Sequence, residues 1–321
     1  MRIDVHAHYF SPEYVALLKR LGAGPDRLEP GYRLLHDTQA ADFAERFAAM
    51  DRAGVDRQIL SVSGLTPYFE EEESAVSGAR FANDLYAAVA RKQPGRFAAF
   101  GVLPMPHLDA SLAEIDRTLD ELDCWGITVT TSVLGRSPAD PYFDPIYTEL
   151  NRRGAVVFLH PAGFACGSHL LVANGLTWPL GAPFEDTMTI LEFMQAGFTE
   201  RFPKIKMIVP HLGGTLPFLM QRLDHMAQRF MPGRGVPSEN ARRFWYDTVN
   251  GYGPALHAAI ATFGIDRLVF GTDWPFWKGE AHQLAADYLA ASGLDADAIA
   301  KIDSGNLHAL FGERVSSILA S

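Results

Sequence analysis

The sequence predicts an α/β fold, a (β/α)8 barrel in a single domain spanning residues 1–321. Three observations predict it. Eight short apolar runs alternate with segments of helical periodicity, and that alternation implies a parallel sheet. Several runs finish on one polar, metal-competent side chain, as in Phe158-Leu159-His160, Val209-Pro210-His211 and Phe270-Gly271-Thr272-Asp273. The 321 residues are 48% hydrophobic, enough for one large core. A doubly wound open sheet is the alternative. No Gly-rich dinucleotide fingerprint follows the first strand, which counts against it.

Ile3-Asp4-Val5-His6-Ala7-His8 reads as the first strand. Side chains alternate along a strand, so His6 and His8 point the same way, where one ion can meet both. Residues 11–38 read as a small irregular insertion rich in Gly and Pro, with a short helix over 12–21. Phe43, Phe47 and Met50 then recur at helical spacing, and Ala53-Gly54-Val55 stops that helix before a strand at 57–62. The acidic run at 70–73 reads as a solvated loop. Helix 75–92, strand 97–103, helix 108–122, strand 126–131 and helix 144–153 follow, then a buried strand at 155–160. The next stretch, 161–182, reads as a long loop, and loops of that length without clear structure are usually functional or mobile. Helix 184–198, strand 205–211, helix 216–231, strand 243–249, helix 254–263 and strand 267–273 complete the eight units, with helices to the end.

Charge and composition exclude some function classes. Lys and Arg number 28 and Asp and Glu 38, a net charge of −10 without a basic stripe, which argues against nucleic acid as the partner. No apolar run approaches a membrane span, and the N-terminus lacks the apolar core of a signal peptide. The two cysteines, Cys124 and Cys166, make no disulfide framework. The expectation is a cytoplasmic protein acting on a small molecule.

In a barrel all strands run parallel, so their C-terminal ends gather on one face, where active sites of that fold sit. His6, His8, His160, His211 and Asp273 therefore converge despite their separation in sequence. A structural role is the better expectation for any one of these histidines alone; the joint pattern points to a metal site. Imidazoles and a carboxylate suit zinc or a similar divalent ion. Three or four such ligands leave a position for water or substrate. His211 either ligates or stands behind the metal as an acid–base group.

The motifs Ile3-Asp4-Val5-His6-Ala7-His8, Phe158-Leu159-His160-Pro161, His211-Leu212-Gly213-Gly214-Thr215-Leu216-Pro217-Phe218 and Gly271-Thr272-Asp273-Trp274-Pro275-Phe276 resemble the amidohydrolase superfamily. More narrowly they resemble its aminocarboxymuconate semialdehyde decarboxylase-like branch, with related aromatic acid decarboxylases. Leu103-Pro104 and Gly305-Asn306 also fit. The resemblance covers nearly the whole chain. It implies that His6, His8, His160 and Asp273 are the metal ligands and that His211 is the acid–base histidine. The strand at 126–131 has no lysine, so a carbamate-bridged pair of metals is not expected and one ion is. Some decarboxylases of the branch have Glu at the first histidine and favour manganese; His6 inclines the expectation to zinc, with manganese the alternative.

Arg222 matches an arginine that, in the decarboxylase resembled, reaches into the neighbouring subunit and holds a substrate carboxylate. The expectation is a homodimer, against an ordinary surface arginine. A second carboxylate-binding arginine of the family has no secure match; Arg33 is a candidate only by region. Trp178 and Phe276 are expected to line an aromatic pocket, and Trp274 and Trp277 to sit in core or rim. Cys166, His169, His225 and His308 are read as structural. The leading function is metal-dependent, non-oxidative decarboxylation of an aromatic or unsaturated carboxylic acid. The alternative is hydrolysis of a lactone, ester or amide, and a minor alternative is a non-catalytic barrel.

Overall fold

The computed structural model describes residues 1–35 and 40–315. Nine strand segments lie in chain order: β1 Ile3–His8, β2 Arg57–Ser61, β3 Phe97–Ala99, β4 Gly101–Val102, β5 Ile127–Thr130, β6 Val156–His160, β7 Lys206–Val209, β8 Trp245–Asp247 and β9 Leu268–Val269. They form two parallel sheets, β1-β2-β3 and β4 through β9 in sequence order. β3 and β4 are one strand interrupted at Phe100, whose amide donates to the Leu60 carbonyl (2.9 Å) while that of Gly101 turns to Gly126 (2.9 Å). At the other seam the Val5 amide donates to Phe270 (2.9 Å) and that of Asp273 to His6 (2.7 Å). Hydrogen bonds thus join both seams, and the architecture is the expected (β/α)8 barrel.

Two apolar clusters follow from this closure. The smaller fills the barrel interior with Ile3, Val5, Ile59, Phe100, Phe158, Ile208 and Val269, and Leu307, Leu310 and Phe311 near the C-terminus plug its base. The larger, including Ala7, Val157 and Leu159, lies between strands and helices. In β6 simple alternation carries the inward direction from Val156 and Phe158 to His160. In β1 it does not. The pairing with β2 slips between Asp4 and Ala7, a β-bulge. The extra residue lets Val5 and then His6 both face inward, so the histidines stand above the same interior as the apolar residues below them. His6 meets Phe158 at 5.0 Å between ring centroids.

Several expected boundaries move. The insertion contains two helices, Pro12–Arg20 and Pro25–Arg33. The second carries an internal Pro30 and Gly31, poor helix formers, so local propensity hides it. Packing decides it: Leu28, Pro30 and Gly31 are buried, and a Cβ on Gly31 would collide with Val15 and Leu65. Residues 36–38 of that stretch lie outside the described residues, as do the last six of the chain. The acidic run is no plain loop, because Glu72 and Glu73 open the helix Glu72–Lys92, where acidic groups meet the positive end of the helix dipole. The stretch after β6 is broken into short helical turns at Ala165–Gly167, His169–Ala173 and Thr177–Gly181. Among the described residues no helix is long and apolar enough to cross a membrane.

Candidate metal centre

His6, His8, His160 and Asp273 meet at the C-terminal face of the barrel. One ligand atom from each lies within 4.8 Å of all the others, and all four residues are buried. His6 Nε2 is 3.1 Å from His8 Nε2. Asp273 Oδ1 is 3.0 Å from His8 Nε2 and 3.3 Å from His6 Nε2. Each imidazole is held by its other nitrogen. His6 Nδ1 donates to Asp247 Oδ2 (2.7 Å), His8 Nδ1 to Ser61 Oγ (2.8 Å) and His160 Nδ1 to the Pro161 carbonyl (2.9 Å). A proton on each Nδ1 turns each Nε2 to the common centre, where its lone pair, once unprotonated, can meet an ion. That is how outer hydrogen bonds orient metal-binding histidines, so the residues present fit a divalent ion.

A buried polar network fixes the bulged strand that carries two of these ligands. Asp4 Oδ1 accepts from the amides of His6 and Thr272 (3.0 Å each). Asp4 Oδ2 accepts from Gln58 Nε2 (2.9 Å) and Thr272 Oγ1 (2.6 Å). Arg46, fully buried, donates to Gln58 Oε1 (2.8 Å) and to the His8 carbonyl (2.8 Å). The same carboxylate therefore ties His6 to the turn that presents Asp273.

His211 and Asp273 are not strand residues. β7 ends at Val209 and β9 at Val269, and both side chains project from turns with left-handed backbone, φ 53° at His211 and 61° at Asp273. Non-glycine residues rarely adopt that region, and such outliers cluster at functional sites. The left-handed run continues through Leu212, Gly213 and Gly214. At Gly214 any Cβ would strike the Pro183 carbonyl, so only glycine brings this turn against the helix Ala182–Gln195. Two contacts hold His211. Its amide donates to Asp247 Oδ1 (2.9 Å) and its Nδ1 to Asp186 Oδ2 (2.8 Å). Its Nε2 faces Asp273 Oδ2 across 3.9 Å.

The electrostatics separate these histidines. Burial pushes His8 down to about 4 despite its hydrogen bond to Asp273. Burial, with the neighbouring His8 and His6, holds His160 well below its ordinary value. Burial also opposes charge on His6, but Asp247 and Asp273 outweigh it and lift His6 to about 9. For His211, burial is likewise outweighed, by Asp186 and then Asp273, and it rises well above the ordinary range. Burial pushes Asp186 up to about 7 against the pull of His211. In the absence of an ion the ligand cluster thus keeps a proton on His6 below pH 9, and an incoming cation must displace it. Metal affinity is expected to rise about tenfold per pH unit between pH 6 and 8, with close to one proton released per ion bound. Calorimetry in buffers of differing ionisation heat measures this; uptake independent of pH over that range would refute it.

A cavity of about 490 Å³ opens onto the cluster, lined by His160, His211 and Asp273 together with Trp178, Phe276 and Arg33. Trp178 and Phe276 lie 5.7 Å apart, and Phe276 meets His8 edge-on at 5.7 Å. Arg33 binds Glu29 (2.9 Å) and sits over Phe276. Trp277 joins the cavity rim, while Trp274 is core at 1% exposure. Arg222 is exposed on the helix Leu216–Phe230 and does not reach this cavity in its own chain. Cys166 is raised to about 11 by burial, so its thiol stays protonated.

A family model described as amidohydrolase matches residues 3–312. The chain belongs to the amidohydrolase family. It is similar to the 2-amino-3-carboxymuconate-6-semialdehyde decarboxylase of Dictyostelium discoideum, 28% identical over 87% of this chain and 83% of that one. It is similar also to the gamma-resorcylate decarboxylase of Rhizobium sp., 29% identical over 97% and 98%. Among solved structures, the dihydroxybenzoic acid decarboxylase from Polaromonas sp. JS666 superposes with a TM-score of 0.83 at 26% identity, covering 100% of this chain and 99% of that one. That structure holds manganese and an inhibitor, 2-nitroresorcinol. With the His and Asp cluster here, this makes the site of this amidohydrolase a divalent-metal centre.

Two functional carboxylates escaped the sequence reading. Asp247 carried a usable signal, an apolar run Phe244-Trp245-Tyr246 ending on a carboxylate, but a strand drawn to Val249 hides it. Asp186 gave none, because it lies inside a helix and only the fold brings it to His211. Glu185, its neighbour, has a separate task. Its carboxylate accepts from Thr131 Oγ1 (2.7 Å) and from the amides of Ala162, Gly163 and Ala165 (2.8, 3.1 and 2.7 Å), which pins the loop after His160.

Proposed function

We propose that this amidohydrolase is a metal-dependent, non-oxidative decarboxylase of an aromatic or unsaturated carboxylic acid, with His6, His8, His160 and Asp273 as ligands. The observation that carries the reading is His211. It stands at the cavity wall beside the ligand cluster, held at Nδ1 by buried Asp186 and kept protonated by Asp186 and Asp273. A histidine so held is set to give a proton. Hydrolysis would ask the same residue to begin as a base, which its two carboxylate neighbours oppose. The decarboxylases among its relatives add weight to the reading.

A bound divalent cation supplies Lewis acidity that holds substrate oxygens and neutralises their charge. Arg33 offers a guanidinium to a substrate carboxylate or to the ring face, and Trp178 and Phe276 give flat walls to an aromatic ring. His211 delivers its Nε2 proton to the ring carbon that bears the carboxylate. The bond from that carbon to the carboxylate then breaks, its electron pair returns to the ring, and CO2 leaves. Protonation first avoids an unstabilised carbanion. Asp186 keeps the Nδ1 proton in place throughout, and Asp273 holds the imidazolium until transfer. The imidazole then regains a proton from water.

The test is a screen of hydroxybenzoates and muconate-like acids in D2O with the metal-loaded protein. CO2 release with one deuterium at the vacated carbon is expected. Label from H2(18)O entering a product acid, without CO2, would refute decarboxylation and establish hydrolysis.

Zinc is the resident ion in this reading, because three imidazoles and one carboxylate are borderline-soft donors. Manganese, present in the dihydroxybenzoic acid decarboxylase structure, is the alternative, and elemental analysis separates them. Arg222 supports a homodimer. It lies one turn beyond Phe218, which is 90% exposed, on a helix whose start is bonded through Thr215 to Thr187 near the cavity wall. A monomer by sedimentation equilibrium would refute the dimer. The paucity of cysteines fits a cytoplasmic setting.

A further inference from the structure

A second cavity, of about 620 Å³, adjoins the first at Trp178. It is lined by Ser63, Gly64, Gly163 and Thr177, with the charged groups of Arg27 and Glu29 at its edge. Ser63 Oγ lies 3.4 Å from His160 Nε2, so one lining residue of this cavity touches the His and Asp cluster. Trp178 lines both cavities. One side of its indole faces Phe276 in the first cavity, 5.7 Å between centroids. The other lies against the backbone at Gly64 and Gly163. A Cβ on Gly163, where φ is +79°, would lie 2.7 Å from Trp178 Cη2, and one on Gly64 would lie 3.6 Å from the same atom. The loop beneath is immobilised by the Glu185 carboxylate, so the surface on which the indole sits is fixed while the indole itself is half-buried.

We propose that Trp178 is a specificity-determining partition. It confines the substrate site to single-ring acids, and the cavity behind it is a second compartment that receives a fused second ring once the indole is removed. This rests on the aromatic-acid reading of the first cavity. The physical reason is volume: a fused ring extends the substrate toward the indole, and the far side of the indole meets the backbone at Gly64 and Gly163.

The experiment is equilibrium binding of salicylate and 3-hydroxy-2-naphthoate to metal-loaded wild type and W178A, with thermal melts to confirm folding. Wild type is expected to prefer salicylate by about tenfold or more, and W178A to reverse that preference, in line with the discrimination that pocket volume provides. Trp178→Leu, which keeps an apolar group on Gly64 and Gly163, gives the same reversal in weaker form and serves if W178A does not fold. Salicylate binding by wild type with an unchanged preference in the folded variants overturns the partition alone. Binding of neither acid by wild type overturns the aromatic-acid reading and the partition with it.

Discussion

His211→Ala retains its full metal complement and loses CO2 release by about a thousandfold, within the range of a positioned general acid. Both halves of that result follow from geometry. The alanine variant leaves His6, His8, His160, Asp273 and their outer hydrogen bonds untouched, because Asp247 still holds His6 through Oδ2. It removes the Nε2 proton donor that faces Asp273. It also leaves Asp186 buried without its imidazole partner; burial, joined by the neighbouring Glu185 and Asp247 carboxylates, then favours the protonated acid. That keeps the loss in stability modest, since no buried charge is stranded. Elemental analysis beside an assay of CO2 release reads both halves. A variant that stays fully active would remove His211 from the mechanism.

His160→Ala, by contrast, loses the metal, and activity with it. In the proposed ligand set His160 comes from the end of β6, and its loss leaves the β1 pair and Asp273. Metal content is expected to fall from one ion per chain to near zero after dialysis. Wild type gains stability from added ion, about 2.7 kcal/mol at a hundredfold excess over Kd, and its melting temperature climbs accordingly. The variant's melting temperature does not respond. A wild type that takes up no divalent ion at all would end the catalytic reading, and a variant that keeps a full complement would exclude His160 from the ligand set.

Much of this was legible in the chain because periodicity survives translation into structure. Strand runs such as Val156 to His160 are apolar on both faces, as buried parallel strands must be, and the ligand at the end of β6 follows by alternation alone. The helix Pro25–Arg33 was not legible, since its glycine and proline oppose helix formation and only burial against Val15 and Leu65 repays the cost.

The sequence by itself determined the fold class, the end of the barrel that carries chemistry and the types of ligand there, because hydrophobic alternation and strand direction are local properties that parallel closure converts into convergence. Only the tertiary structure decided the aim. The bulge in β1 turns His6 inward after Val5, left-handed turns swing His211 and Asp273 off their strands, and Asp186 and Asp247 arrive from distant elements to set the protons. Those features depend on backbone slippage, on strain repaid elsewhere and on contacts between residues 25 to 241 positions apart. No local pattern in the chain encodes them.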